Sequence, residues 1–441
     1  MENKYINRLI DNKLIDWKNS NKKKPLLLRG ARQVGKSSSV RHLAESFEHF
    51  VEINFEKKEN LAAKQIFERH SNPQQICDEL SMLYNKRIEA GKTLLFLDEI
   101  QACPDAISAL RFFYEDYPDL HVVAAGSLLE FALAELPSFG VGRIETLFMF
   151  PLSFAEFLNA CGADLLCEAI QKANPQNPLP DYIHKKAIEY LKKFLIIGGM
   201  PEITVKYVET QSLFECSKLL SNLTTTLKAD FSKYKKRVPE LRLNAVFNAV
   251  ANQMGEKFVY SKVMQEYNNK QVKECLELLR MAGLVIPVVH SSANGLPIGS
   301  EVNLRYQKFL FLDTGIYQNV NKLDLSELLV NDDFEVINKG SIAELYAGLE
   351  LIKAASNYSM PELYCWVREE KNANAQVDYL VQKGNRILPV EIKSGKKGSM
   401  QSLHLFMKEK NSEKGIRSSL ENFGHFDKID IYPLYAINRI V

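Results

Sequence analysis

Long apolar runs are absent from this 441-residue chain. No stretch approaches the roughly 20 residues that cross a bilayer, so no membrane contact is expected. Paired cysteines are lacking too: the seven (Cys77, Cys103, Cys161, Cys167, Cys216, Cys275, Cys365) are scattered, odd in number and free of C-x-x-C spacing. That excludes a disulfide framework and a clustered zinc site, and it suits a reducing cytosol. Nor does one sign of charge dominate, since 56 Lys and Arg face 54 Asp and Glu. A net charge of +2 is too balanced to announce nucleic acid or membrane, so partners must be argued locally. The first residues are polar and basic without the apolar segment of a signal peptide, which leads us to expect a cytoplasmic protein. What remains is a globular composition, 46% hydrophobic and 25% charged, long enough for several domains.

Against these absences one segment stands out. Leu26-Leu27-Leu28-Arg29 reads as a short buried strand and runs directly into Gly30-Ala31-Arg32-Gln33-Val34-Gly35-Lys36-Ser37, a complete G-x-x-x-x-G-K-S loop. The glycines let the backbone curl so that successive N–H groups, and the positive end of a helix expected over 36–46, point at phosphate oxygens. The loop with Ser38 is therefore expected to cradle ATP, Lys36 reaching the β and γ phosphates and Ser37 ligating Mg2+. Downstream, the apolar strand Thr93 to Leu97 ends in Asp98-Glu99. Asp98 is expected to hold the Mg2+ and Glu99 to polarise the attacking water, because phosphoryl transfer depends on positioning and charge neutralisation.

Strand and helix patterns alternate from residue 26 to 150, which predicts a parallel sheet covered by helices, preceded by an amphipathic helix bearing Tyr5, Leu9, Ile10, Leu14 and Ile15. The core is expected over 1–155. Residues 156–239 read as a helical lid or adaptor, interrupted by the Asn174 to Pro180 loop and by Gly198-Gly199-Met200-Pro201. Over 240–320 the order is three helices (Leu243 to Met254, Ser261 to Glu266, Val272 to Ala282) and two strands (Leu284 to His290, Asn303 to Leu312), the arrangement of a winged helix. Its third helix carries Lys270, Lys273 and Arg280 and suits a major groove of double-stranded DNA; Glu274 and Glu277 on the same helix suit a protein contact equally well.

The last region, 321–441, begins with a helix carrying Glu344 and continues with strands containing Asp378 and ending in Glu391-Ile392-Lys393. Alternation along a strand puts Glu391 and Lys393 on one face. Two carboxylates and a lysine are a set that can hold Mg2+ at Asp378 and Glu391 and activate a water for phosphodiester cleavage, with Glu344 as a further acid. An E-x-K at a strand end is also the ordinary form of a solvated ion pair.

Taken over nearly the whole chain, the pattern resembles a family of prokaryotic AAA-type ATPases with a C-terminal domain of uncharacterised function. The matching segments are Gly30 to Ser37, Leu97-Asp98-Glu99-Ile100-Gln101, Ala125-Gly126-Ser127, Gly142-Arg143, Pro151-Leu152-Ser153-Phe154, Gly199-Met200-Pro201-Glu202 and Phe311-Leu312-Asp313-Thr314-Gly315. The resemblance is to the AAA+ and STAND-like division of P-loop ATPases. It implies that Ser127 is the sensor after the fourth strand, that Arg143 is an arginine finger completing the site of a neighbouring copy in a homo-oligomer, and that Pro201 lies against adenine. The C-terminal part resembles the PD-(D/E)xK nuclease fold, with Glu344, Asp378, Glu391 and Lys393 at the matching places; no proline precedes Asp378. The fold class that follows is α/β multidomain: a P-loop core, a helical lid, a winged helix and a nuclease-like α/β domain. Two functions fit it, a nucleotide-driven switch acting on nucleic acid, and a nucleotide-stabilised protein-interaction scaffold with a degenerate nuclease fold.

Overall fold

The computed structural model describes residues 5–127, 129–135, 140, 142–234, 237–323, 340–370, 375–393 and 400–441. It divides into two compact units: Met1–Pro151 with Met281–Gly283 and Asn357–Met360, and Leu152–Arg280 with Leu284–Ser356 and Pro361–Val441.

The first unit opens with helix α1 (Leu9–Asn19), which buries Ile10, Leu14 and Trp17 and leaves Leu9 and Ile15 exposed. Its apolar stripe runs through Ile10, Leu14 and Trp17, and Leu9 and Ile15, expected on it, lie outside it. There follow β1 (Leu26–Arg29), α2 (Lys36–Ala44), β2 (His49–Asn54), α3 (Leu61–Arg69), α4 (Pro73–Tyr84), β3 (Thr93–Asp98), α5 (Pro104–Asp116), β4 (His121–Gly126), α6 (Leu129–Glu135) and β5 (Glu145–Phe148). The strands form one parallel sheet in the order β2-β3-β4-β1-β5. All residues of β3 and β4 are buried, as strands covered by helices on both faces must be. Local chemistry sets the helix starts: Asn72 Oδ1 accepts the N–H groups of Gln74 and Gln75 at the head of α4, and Pro73 fills its first position. Ile53, Ile76, Leu97, Leu110 and Phe113 share one core cluster, where truncation of a buried phenylalanine costs about 3–5 kcal/mol.

The second unit begins with helices α7 (Phe154–Ala160), α8 (Asp164–Lys172), α9 (Asp181–Ile197), α10 (Pro201–Thr210) and α11 (Leu213–Ala229), followed by α12 (Glu240–Asn252) and α13 (Asn269–Met281). The helix expected over Ser261 to Glu266 is only a 3-10 turn, Tyr260–Lys262. Met264 is exposed and none of residues 261–266 is buried, so no packed face anchors a longer element.

Next come β6 (Val285–Ser291), β7 (Val302–Phe311), α14 (Thr314–Asn321), α15 (Ser341–Ala354), β8 (Leu363–Val367), β9 (Gln376–Lys383), β10 (Arg386–Ile392), α16 (Gln401–Glu409), β11 (Gly415–Ser419), β12 (Gly424–Phe426) and β13 (Ile429–Pro433). All eight strands join one sheet in the order β12-β13-β11-β10-β9-β8-β6-β7. The hairpin expected as a wing is therefore the edge of this sheet, with β6 running parallel to β8 through Val288↔Leu363, Val289↔Tyr364 and His290↔Cys365. Strand β11 was hidden by its polar sequence: it buries all five residues, including Arg417, Ser418 and Ser419.

Three of the motifs noted above meet inside this unit. The Asp313 carboxylate accepts the Ile316 N–H at 3.1 Å, capping α14, and the Gly199 N–H at 2.6 Å. Gly199 O in turn accepts the Leu152 N–H at 2.7 Å, and Leu152 O accepts the Lys353 ammonium at 2.8 Å. A Cβ on Gly199 would lie 2.3 Å from Leu152 O, so this close approach requires glycine.

Candidate functional site

Between β1 and α2 the backbone turns with Gly30 at φ 146° and Gly35 at φ 101°, conformations that L side chains rarely adopt. At Gly30 a Cβ would also stand 2.2 Å from Met149 O. Ala31, Val34 and Lys36 are buried, whereas Gln33 and Ser38 are exposed. The Lys36 ammonium donates to Gly30 O at 2.8 Å and Ala31 O at 2.7 Å. Burial pushes it down to about 8, against the pull of Glu99 and Asp98. The first turn of α2 aims N–H groups without intrahelical partners toward the same loop.

Register brings the acids to this loop, because β2 pairs with β3 through Asn54↔Asp98. Ser37 Oγ donates to the Asp98 carboxylate, lying 3.1 and 3.2 Å from its oxygens, and Asn54 Nδ2 donates at 3.1 Å. Burial, then the neighbouring Glu99 charge, raises the Asp98 carboxyl above its ordinary value. Glu99 follows in left-handed backbone (φ 48°), which turns its side chain away from the strand direction. Its Oε2 accepts Gln101 Nε2 at 2.6 Å and Ser127 Oγ at 3.3 Å, and Arg32 Nε donates to that hydroxyl at 3.0 Å. Lys36, Ser37, Asp98, Glu99 and Ser127 thus lie in one group. Asn54 and Gln101 are partners that sequence reasoning did not assign; only their places, a strand end and the position two beyond Glu99, could have marked them. The hard oxygens of Ser37 and Asp98 suit Mg2+, and those two residues would hold it.

A family model described as an AAA domain matches residues 22–158, the span that contains this site. That span alone has the AAA-type P-loop fold. Two further models, both described as domains of unknown function, match 188–327 (DUF8612) and 339–437 (DUF4143). Among solved structures the chain is similar to the Walker-type ATPase PABY2304 of Pyrococcus abyssi, at 14% identity and a TM-score of 0.45 over 72% of this chain and 96% of that one. It is also similar to the Aeropyrum pernix ORC1 protein in complex with DNA, at 11% identity and a TM-score of 0.30 over 73% and 94% of the two chains. No curated protein matches. Among the described residues of the chain, no helix is long and apolar enough to cross a membrane.

Within the AAA domain, Arg143 stands apart from the Glu99 group. It precedes β5, is half-exposed and pairs with Glu115 of α5. Pro201 belongs to the second unit, at the first position of α10, behind the glycine clamped by Asp313.

The acids of the second unit converge as well, and they bring a residue that the sequence did not single out. Lys308 of β7 is fully buried, its Nζ 2.6 Å from Glu344 Oε1 and 3.9 Å from Asp378 Oδ1. Asp378 Oδ2 accepts the Ile392 N–H at 2.8 Å, and Lys393 Nζ lies 2.7 Å from Glu391 Oε1. Glu391 Oε2 is buried without a hydrogen-bond partner. Burial raises both Glu344 and Glu391 to about 7; Asp378 adds to the rise, and the paired lysines oppose it. For Lys308 burial alone acts downward, but Glu344 and Asp378 reverse it and hold the ammonium above its ordinary range. A lysine immediately before the apolar run Phe309-Leu310-Phe311 was the one available signal. Among the described residues, no group of three or more His, Cys, Asp or Glu side chains is arranged to hold a metal ion.

Proposed function

We propose that the chain is a Mg2+-dependent ATPase that acts as a nucleotide-driven switch, its second unit gripping double-stranded nucleic acid in response. Glu99 is the observation that carries hydrolysis. Its carboxylate is held by Gln101 and Ser127 beside the Ser37–Asp98 pair, the arrangement a water-polarising base needs and a passive nucleotide clamp does not. Lys36 and the α2 N-terminus bind the phosphates, Ser37 and Asp98 hold the ion that neutralises them, and Ser127 transmits the state of the site between Arg32 and Glu99. Exposed Lys270 and Lys273 on α13 and Arg305 on β7 supply the basic side chains for a phosphate backbone.

The test is ATP hydrolysis by the full chain with and without double-stranded DNA, at low and moderate salt, with Glu99→Gln as the blank. Turnover that rises with DNA and vanishes in Glu99→Gln is the expected result. Equal turnover in Glu99→Gln removes the assigned role. Turnover indifferent to DNA leaves an ATPase with a protein partner.

The second reading is a nucleotide-stabilised interaction scaffold, for which no turnover at all is expected, and one observation favours a protein partner. Arg280 is bound in a bidentate pair by Glu277 at 2.6 and 2.8 Å, so the exposed face of α13 carries mixed and partly neutralised charge.

A further inference from the structure

We infer that the cation of the second unit's carboxylate cluster is Lys308 itself, making the cluster an internally paired lock and not a divalent-metal centre. A lysine is almost never fully buried unless paired, because taking an ammonium out of water is costly. Lys308 meets that condition by reaching Glu344 on α15 and Asp378 on β9 from the sheet's edge strand. Three acids thus face two lysines.

A Mg2+ ion requires about six oxygen ligands at about 2.0–2.1 Å. Here Glu344 Oε1 is committed to Lys308, Asp378 to Lys308 and a backbone N–H, and Glu391 Oε1 to Lys393. Glu344 Oε2 and Glu391 Oε2 are left over, and two oxygens fall well short of the six that the ion needs. A divalent ion among these carboxylates would stand within a few ångströms of an ammonium that has no exposed path of retreat, and charges at such distances repel strongly away from bulk water. The donor set therefore does not fit the ion that the nuclease resemblance implies. What the pairing does is tie β7, α15 and β9 together through one side chain.

The experiment is Mn2+ binding to the nucleotide-free full chain, followed by the electron paramagnetic resonance of the free ion, for wild type, Asp378→Asn, Lys308→Met and Lys308→Met/Asp378→Asn. Wild type and Asp378→Asn are expected to give superimposable isotherms, since the cluster contributes no site. Lys308→Met is expected to gain a site that the double variant lacks. Wild-type binding that weakens about tenfold or more in Asp378→Asn, the loss typical of a disturbed metal shell, would overturn the inference. So would a folded Lys308→Met that gains no Mn2+. Should Lys308→Met fail to fold, the wild-type and Asp378→Asn isotherms decide alone. None of these readouts involves ATP turnover, so they stand apart from the hydrolysis assay.

Discussion

The two carboxylate sites of this chain use the same side chains in opposite ways. In the AAA domain, Lys36 donates to backbone carbonyls while Asp98 and Glu99 take hydrogen bonds from neutral groups, Ser37, Asn54, Gln101 and Ser127. Neither sign of charge is matched directly by the other. In the second unit the ammonium groups of Lys308 and Lys393 sit on the carboxylates themselves. Charges held by dipoles remain available to an incoming polyanion and its cation, whereas charges paired internally are already satisfied. Counting acids and lysines does not separate the two cases; the partner of each does.

The sharpest break of this comparison is Lys308→Met. Removing one partner of a buried pair strands the other charge, so a loss of about 3–5 kcal/mol is expected, read as a lower urea midpoint. Lys36→Ala removes no such partner. It should leave the urea midpoint nearly unchanged and weaken ATP binding by about 100-fold, the equivalent of about 3 kcal/mol in lost charge-assisted hydrogen bonds, measured by calorimetry. Next is pH. Glu344 and Glu391 lie near 7 in the fold against 4.5 ordinarily, so between those values the folded chain binds more protons than the unfolded one. Stability is therefore expected to fall as pH rises through this window, and urea titrations should show a shallower slope for Glu344→Gln/Glu391→Gln. In the first site, Lys36 loses its proton near 8, so ATP affinity should decline above that pH by up to about tenfold per unit. The smallest effect belongs to Arg143→Ala: the side chain is half-exposed, so stability should change by less than about 0.5 kcal/mol. Turnover that drops in this variant, and that depends on protein concentration in wild type, is the result expected of a finger acting on a neighbouring copy.

The first site was legible because its chemistry is local. A strand, two glycines, a lysine and a serine are contiguous, and the acids end a strand whose apolar run is unmistakable. Asn54 was not legible, since its role comes from register with Asp98 and not from its own neighbours. The same holds for Lys308, which meets Glu344 and Asp378 across 36 and 70 residues of chain. The hairpin's membership in the large sheet depends on pairing between β6 and β8, and the three-helix reading of 240–282 gave no hint of it. Strand β11 shows the converse failure: a segment with arginine and two serines lies inside the sheet, paired with β10 on one edge and β13 on the other, a fact that its own residues do not carry.

The order of the eight-stranded sheet also sets a timetable for synthesis. The five-stranded sheet has every strand in hand once residue 148 has left the ribosome. The larger sheet has its first hairpin by residue 311, yet its β11 remains half unpaired until β13, ending at residue 433, is delivered beside it. Pairings between distant segments close slowly, and a waiting strand edge is a template for wrong partners. The nascent chain therefore spends the translation of more than a hundred residues with the smaller sheet complete in sequence and the larger one still lacking strands.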